Sequence, residues 1–485
     1  MIYNKLYGIL LFLLFPFSLH SQSLMEVINR TEKAVFEART YTGGRTKLAK
    51  ASGFFISADG LAITMGHIFE RADSAVITMR SGRTFGVDRI IALHPKSNLA
   101  LIKVKQARQK TFSFLLPARQ SFRQHEELLF FTHPLETEDG ITLRPVHDLA
   151  YFPFLSRCGI VDGSYHTHSA GAPAINRHGR LCGIVNVSKD GKHKILYNSY
   201  LLNDTNWVTI NKPVSQTYTT DPLYTLFNPM MSEALLYIIS NEPIEAAKKL
   251  SRHLKKHPED DEAYCLRAYA RFHYQNLVGS RADLNICHEL NPTGFLQYFF
   301  KATFALTHKK DEEARTNFTR CLDYKKDFAP AISQLAALNY ARSKDVRTAF
   351  AWYSRAIEAD SLLAQAYYER ARLRLQHSND QATTLLDINK SIYLEPDLPG
   401  IYSIRGSVYF SNQDYLLAIS DFDQAIERDI KDVHAWFSRG VANYNIGLHQ
   451  QACNDWNKAG QLGNYDAYKY MARYCKDVKR NVYDQ

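Results

Sequence analysis

Small residues return at Ala234, Ala268, Ala302, Ala336, Ala371, Gly406 and Gly440, at successive separations of 34, 34, 34, 35, 35 and 34. A period held that long is the strongest constraint in this chain of 485 residues. It demands a repeated supersecondary unit whose apolar face only its neighbours can cover. A second small residue follows twelve positions later in several units, as Ala246, Ala314, Ala418 and Ala452. An aromatic often stands four before the first one: Tyr264, Tyr298, Tyr367, Tyr402 and Trp436. Prolines close units at Pro258, Pro292 and Pro396, where proline ends a helix because it cannot continue its interior. Small residues at these places let two helices approach closely.

Period, positions and helix-turn-helix pattern together resemble the tetratricopeptide repeat. The segment HAWFSRGVANYNIGLHQQACNDWNKAGQL, starting at His434, shows the pattern well. About seven units are expected over 228–463, with a capping helix and tail at 464–485, forming an all-α solenoid. The resemblance implies a protein or peptide partner on a concave face lined by the first helix of each unit. In this register that face carries Tyr269, Phe272, Phe299, Tyr340, Tyr368, Phe410, Phe437 and Tyr444; the competing reading packs these rings helix to helix. The basic residue before the small one (Arg267, Lys301, Arg370, Arg405, Arg439) reads as repeat packing with a solvated head group rather than as a recognition stripe. Cys453 lies on the second helix of the last unit and Cys475 on the cap that packs against it, so a disulfide is expected there. The count of seven cysteines leaves at least one outside any internal pair. No CxxC or Cys/His ligand spacing occurs, and no metal or cofactor is expected.

The other half differs in charge. Through Thr220 there are 26 Lys+Arg against 16 Asp+Glu, and beyond it 33 of each, for a net +10. That excess is spread without a run of adjacent basic residues, which argues against a nucleic-acid partner. The chain opens MIYNKLYGILLFLLFPFSLHS: Lys5, then an apolar stretch Leu6 to Phe17, shorter than the roughly 20 residues that span a bilayer. Residues 1–21 are expected to be a secretory signal, so that the mature protein is exported, periplasmic or extracellular in a bacterium, with no membrane span. Export permits disulfides.

From Ala51 the chain reads ASGFFISADGLAITMGHIF, with apolar alternation on both sides of Asp59-Gly60, a hairpin signal. Further short strands rich in Val, Ile and Phe predict an all-β barrel fold. Three blocks stand out: Thr64-Met65-Gly66-His67, then Asn98-Leu99-Ala100-Leu101-Ile102-Lys103-Val104, then His168-Ser169-Ala170-Gly171-Ala172-Pro173. In order and spacing they resemble the T-x-x-H, D-L-A-L-L-K-V and G-N-S-G-G-P blocks of trypsin-like serine peptidases, particularly envelope proteases of the high-temperature-requirement type. The resemblance covers roughly 28–210, with a linker at 211–227, and implies a double β-barrel.

The chemistry of that family needs a Ser nucleophile, a His base, a carboxylate to orient the His, and N–H donors for the oxyanion. Here His67 keeps the base position. Asn98 stands at the acid position, Ala170 at the nucleophile position and His168 at the glycine that would donate to the oxyanion. Loss of the acid alone costs about 10⁴ in rate, and of the nucleophile about 10⁶. The expected role is therefore protein or peptide binding or assembly in the envelope, with the degenerate cleft able to hold a peptide strand. The alternatives are an active endopeptidase using Ser169 with His67, a hydrolase whose metal sits on His67, His166 and His168, and a β-domain that only plugs the end of the solenoid.

Overall fold

The computed structural model describes residues 24–43, 46–94, 96–105, 111–118, 122–131, 140–152, 156–162, 167–203, 207–216, 229–378 and 380–475. The expected signal segment, most of the expected linker and His166 lie outside them.

After a short helix α1 (Leu24–Glu32) come β1 (Val35–Thr42), β2 (Thr46–Phe55), β3 (Leu61–Met65), β4 (Ser74–Met79), β5 (Thr84–His94) and β6 (Leu99–Val104). They close as one antiparallel barrel in the order β5-β4-β1-β2-β3-β6, β5 also pairing β6. A second barrel has the order β10-β11-β12-β9-β8-β7. It is built from β7 (Glu127–Phe131), β8 (Ile141–Phe152), β9 (Ser156–Val161), β10 (Pro173–Ile175), β11 (Leu181–Val187) and β12 (Lys194–Asn198). The chain then returns to the first barrel, where β13 (Val208–Pro213) pairs with β5. Alternation puts the cross-strand partners Phe54 and Ile63 on one face of the sheet and Phe36, which packs on Phe55, on the other, all with essentially no exposure. The Asp59-Gly60 turn joins β2 to β3 as a hairpin, with Gly60 at φ +91°.

Among the described residues seven helix pairs and a final helix follow. They are α2 (Pro229–Ile239) and α3 (Pro243–Leu254), α4 (Asp261–His273) and α5 (Leu277–Leu290), α6 (Phe295–Thr307) and α7 (Asp311–Tyr324), and α8 (Ala329–Ser343) and α9 (Val346–Ala359). Then come α10 (Ala364–His377) and α11 (Gln381–Leu394), α12 (Ile401–Ser411) and α13 (Tyr415–Arg428), α14 (Val433–Asn445) and α15 (His449–Gln461), and α16 (Tyr465–Tyr474). The chain divides into two compact units, one of residues up to 259 with 266–280, the other of 260–265 with 281–485. The first unit therefore holds both barrels together with α2 and α3.

The periodic small residues have a direct cause. A Cβ at Gly406 would stand 2.8 Å from the Phe422 ring, and one at Gly440 2.7 Å from Trp456. Each glycine faces a buried aromatic ring of its partner helix, and no larger residue fits.

The basic stripe does not have the solvated head groups expected of it. Arg370, Arg405 and Arg439 each make a bidentate pair with a buried aspartate of the same unit: Asp387 at 2.7 and 2.8 Å, Asp421 at 2.7 Å, and Asp455 at 2.6 and 3.0 Å. The remaining guanidinium nitrogen reaches back sixteen residues to the unit before: Arg370 to Ser354, Arg405 to Asn389, Arg439 to Asp423. The stripe is internal stitching.

Two disulfides lie in the helical region, Cys453–Cys475 and Cys265–Cys287, each separated by 22 residues. Cys158, Cys182 and Cys321 are buried. A cross-link over 22 residues restricts the unfolded chain by about 3 kcal/mol in the chain-entropy account. Cys453→Ser is expected to lower the unfolding free energy of the last units by that amount, seen as a lower denaturation midpoint in the fluorescence of Trp456, which packs in the same cluster as Cys453. A midpoint unchanged from the parent's would contradict it.

Candidate functional site

The pairing Met65↔Leu99 between β3 and β6 brings the residue after one strand beside the residue before the other. Gly66 N–H donates to the Asn98 carbonyl at 2.6 Å, and one 3₁₀ turn, His67–Phe69, begins there. Asn98 sits at φ +56°, a left-handed conformation that asparagine tolerates better than most residues. From that position its side chain makes two bonds to one neighbour. Asn98 Oδ1 accepts from the backbone N–H of His67 at 2.8 Å, and Asn98 Nδ2 lies 2.7 Å from His67 Nδ1.

This pair of contacts determines the proton position. A backbone N–H can only donate, so the amide oxygen must be the atom facing it. The amide nitrogen, which can only donate, then faces Nδ1. His67 Nδ1 must accept, and the ring proton resides on Nε2. A general base in a serine peptidase needs the opposite arrangement: Nδ1–H held by a carboxylate and a free lone pair on Nε2. Burial, and after it the nearby Lys189 cation, push the His67 pKa down to about 4. The unfolded ring has the ordinary value near 6.5. Between these values the folded state binds fewer protons, so stability falls as pH drops from about 6.5 towards about 4. Histidine-selective ¹⁵N NMR should find His67 neutral with Nε2–H at pH 6; a titration midpoint near the ordinary value would contradict it.

The nucleophile position is equally specific. Thr167–Ser169 form a 3₁₀ turn, and the Ala170 N–H, which the family resemblance would aim at the oxyanion, donates to the Thr167 carbonyl at 3.3 Å. Ser52 on β2 holds this turn, its N–H donating to the Ala170 carbonyl at 3.0 Å and its hydroxyl to the His168 carbonyl at 3.1 Å. Gly171 follows at φ +88°, and a Cβ there would come within 2.3 Å of the Ser52 carbonyl oxygen. Ala170 is 2% and Ser169 1% exposed, so the alternative nucleophile lies beneath the surface. Among the described residues the side chain bonded to His67 is that of Asn98, and no three His, Cys, Asp or Glu side chains gather as metal ligands.

The turn that carries Lys189 is tied to α2. The Tyr237 hydroxyl donates to Asp190 at 2.9 Å, and His193 lies 3.4 Å from Glu242 and packs its ring on Tyr237. Burial alone would raise the Asp190 pKa. Hydrogen bonds from Ser188, the Lys192 N–H and Tyr237, with the nearby His193, outweigh it and hold the carboxyl at about 2. The sequence reading missed this junction, whose partners lie 47 residues apart, one in the barrel half and one in the first repeat unit.

The array residues do not form one open aromatic lining. Phe299 is buried among Phe300, Phe318 and Phe328, which corrects its place on a binding face. Phe437 packs on Tyr470, and Tyr444 on Trp456 and Tyr474, both against the final helix. Tyr340 bonds His377 at 2.8 Å, Tyr269 packs on His273, Phe410 on Tyr415, and Tyr368 lies against the core around Ile388. These, with Phe272, remain half-buried.

Two antiparallel six-stranded barrels carry His67, Asn98 and Ala170, and residues 51–184 match the family model described as trypsin-like peptidase domain. A probable periplasmic serine endoprotease DegP-like from Ectopseudomonas mendocina is 26% identical over 162 residues, 32% of this chain and 33% of that protein. The helical half has relatives of another kind. Anaphase-promoting complex subunit 3 of Schizosaccharomyces pombe is 22% identical over 211 residues, 43% of this chain and 31% of that protein. Human tetratricopeptide repeat protein 13 is 30% identical over 89 residues, 18% of this chain and 10% of that protein. The chain thus spans about a third or less of the length of these relatives. Among solved structures, the active form of a protease from M. tuberculosis is 15% identical, with a TM-score of 0.30, covering 36% of this chain and 79% of that one.

Proposed function

We propose that this chain is an exported binding protein of the bacterial envelope, in which a trypsin-like domain without hydrolytic function is joined to a tetratricopeptide array that holds a protein or peptide segment. The observation that carries the reading is the Asn98 amide, which keeps the proton of His67 on Nε2. With no lone pair there, His67 cannot take the proton of a serine, and Ala170 offers none. The periplasmic description of the DegP-like relatives and two disulfides favour export. Partner binding falls to the half-buried rings of the array, with Tyr269, Phe272, Tyr340, Tyr368 and Phe410 as contact candidates, and a peptide strand in the cleft is a second contact.

Fluorophosphonate labelling of the full chain, read by mass spectrometry beside a Ser169→Ala variant and an active trypsin-like enzyme, tests the reading. No adduct is expected while the control enzyme labels. An adduct on Ser169, lost in the variant, would make the chain a peptidase with a displaced nucleophile.

A further inference from the structure

One place on the second helix of each pair is a core position. It holds Leu250, Leu284, Phe318, Tyr353, Ile388, Phe422 and Trp456, at separations of 34, 34, 35, 35, 34 and 34. Tyr353, on α9, is 1% exposed and packs with Ala336, Ala349 and Leu373. Phe318 and Phe422 fill the same place with no exposure, so the ring belongs to the core. The added hydroxyl does not. It makes no hydrogen bond among the described residues, yet it is not sealed from solvent. A phenol O–H taken largely out of water without a partner costs stability, and packing alone gives no reason to keep it.

The neighbouring helix departs from the repeat at the same point. Across the seven units, the residue after the periodic small one is charged only as Arg372, and the residue two before it only as Glu369, both on α10. Arg372 places Nε and Nη2 on one oxygen of Glu369, at 2.9 and 2.7 Å, and the other oxygen accepts from Gln365 at 3.0 Å. Arg372 Nη1 is left without a hydrogen bond among the described residues, and so is the hydroxyl of Tyr368. Beside that hydroxyl stands Gly400, where a Cβ would come within 3.2 Å of it.

The charges decide what these three donors can receive. Burial first, then the Glu369 charge ahead of that of Arg372, push the pKa values of Tyr353 and Tyr368 up. Both phenols therefore stay protonated, and the balance of the ion pair at their hydroxyls is negative, which disfavours an anion. The Arg372 guanidinium disfavours a cation. An uncharged group that accepts from O–H and N–H fits. An extended main chain lies along a surface with its side chains to either face, whereas the Tyr353 hydroxyl belongs to a buried residue, which a side chain reaches more readily.

We propose that Tyr353, Tyr368 and Arg372 form a subsite for a carboxamide side chain, glutamine or asparagine, of a bound peptide. Its carbonyl accepts from Arg372 Nη1 and the Tyr353 hydroxyl, and its NH₂ group donates to the Tyr368 oxygen. The inference rests on the peptide-binding reading and names the chemistry of the segment.

The test is NMR titration of the full chain, labelled with ¹³C-tyrosine, with acetyl-Ala-Gln-Ala-amide, acetyl-Ala-Glu-Ala-amide and acetyl-Ala-Ala-Ala-amide. The glutamine peptide is expected to shift the Tyr353 and Tyr368 ring signals saturably, at about tenfold lower concentration than the other two, the size of one net hydrogen bond. Tyr353→Phe should erase that preference at Tyr368 without lowering the urea midpoint, because phenylalanine already fills this place in two other pairs. A preference that survives the substitution would overturn the subsite, and so would a lowered midpoint, which would mean that the hydroxyl serves the fold. Preference for the glutamate peptide would make this an anion site, and equal response to all three a main-chain contact; either overturns the proposal. So does the lack of any shift up to about 10 mM, a concentration past the weakest useful affinities. Shifts confined to Tyr269 would also overturn it, while leaving the peptide-binding reading intact. Labelling of Ser169 by fluorophosphonate fails that reading and leaves the subsite to its own titration.

Discussion

Asn98→Asp will reverse the tautomer of His67. A carboxylate in the same place accepts from the His67 backbone N–H with one oxygen and requires Nδ1–H opposite the other. The imidazolium, now beside an anion, becomes the stabilised form, so the pKa rises from about 4 to at or above the ordinary histidine range. Histidine-selective ¹⁵N NMR reads both changes without any catalytic assay. The kinetic counterpart is larger. Ala170→Ser alone should gain no fluorophosphonate reactivity, because its base has no lone pair to offer. Ala170→Ser with Asn98→Asp should react faster than the single variant by a factor on the order of 10³–10⁴, the size of the acid's contribution in a working triad. If the single variant reacted as fast as the double, the amide would not be what silences His67.

Removing Arg439 is expected to be the most damaging single change in the array. Its guanidinium pairs with Asp455, which is 4% exposed, reaches back to Asp423 and lies 4.7 Å from the centre of the Trp436 ring. Arg439→Ala leaves Asp455 buried without its cation, and breaking a buried pair from one side costs about 3–5 kcal/mol. Urea denaturation followed by tryptophan fluorescence should lose that much for the units containing Trp436 and Trp456. Arg439→Met with Asp455→Leu should cost much less, because no charge is stranded. A single variant as stable as the parent would place the pair among ordinary surface bridges, worth at most about 1 kcal/mol.

The period of small residues was legible because it has one steric cause, an aromatic ring pressed against the place where a Cβ would be. The three peptidase blocks were legible because the pairing of β3 with β6 joins the ends of the first two and Ser52 on β2 holds the turn of the third. Asn98 was recognisable in sequence as the wrong partner for a histidine, but its effect on the proton depends on which amide atom faces the His67 backbone, and only geometry decides that. The aspartates that neutralise the basic stripe had a signal that was not used: Asp421 and Asp455 each follow their arginine by sixteen residues. The Cys265–Cys287 pair repeats the 22-residue separation of the expected disulfide. The contact of α2 with the turn around Asp190 had no such signal, since nothing in either segment's local pattern calls for the other.

The arginine stitching is not continuous. Arg370, Arg405 and Arg439 each join two successive units, but the corresponding residue on α6 is Lys301, which lies 5.8 Å from the Tyr298 ring centre, and on α8 it is Leu335. Sliding between the last units would break the arginine bonds to Ser354, Asn389 and Asp423, whereas α7 and α8 are bridged by the exposed pair Arg342 and Glu312 at 3.7 Å, worth at most about 1 kcal/mol. Under tension the array should behave as a stiff C-terminal block in series with a compliant stretch at α6 to α9, so that stretching is absorbed there before the last three pairs yield.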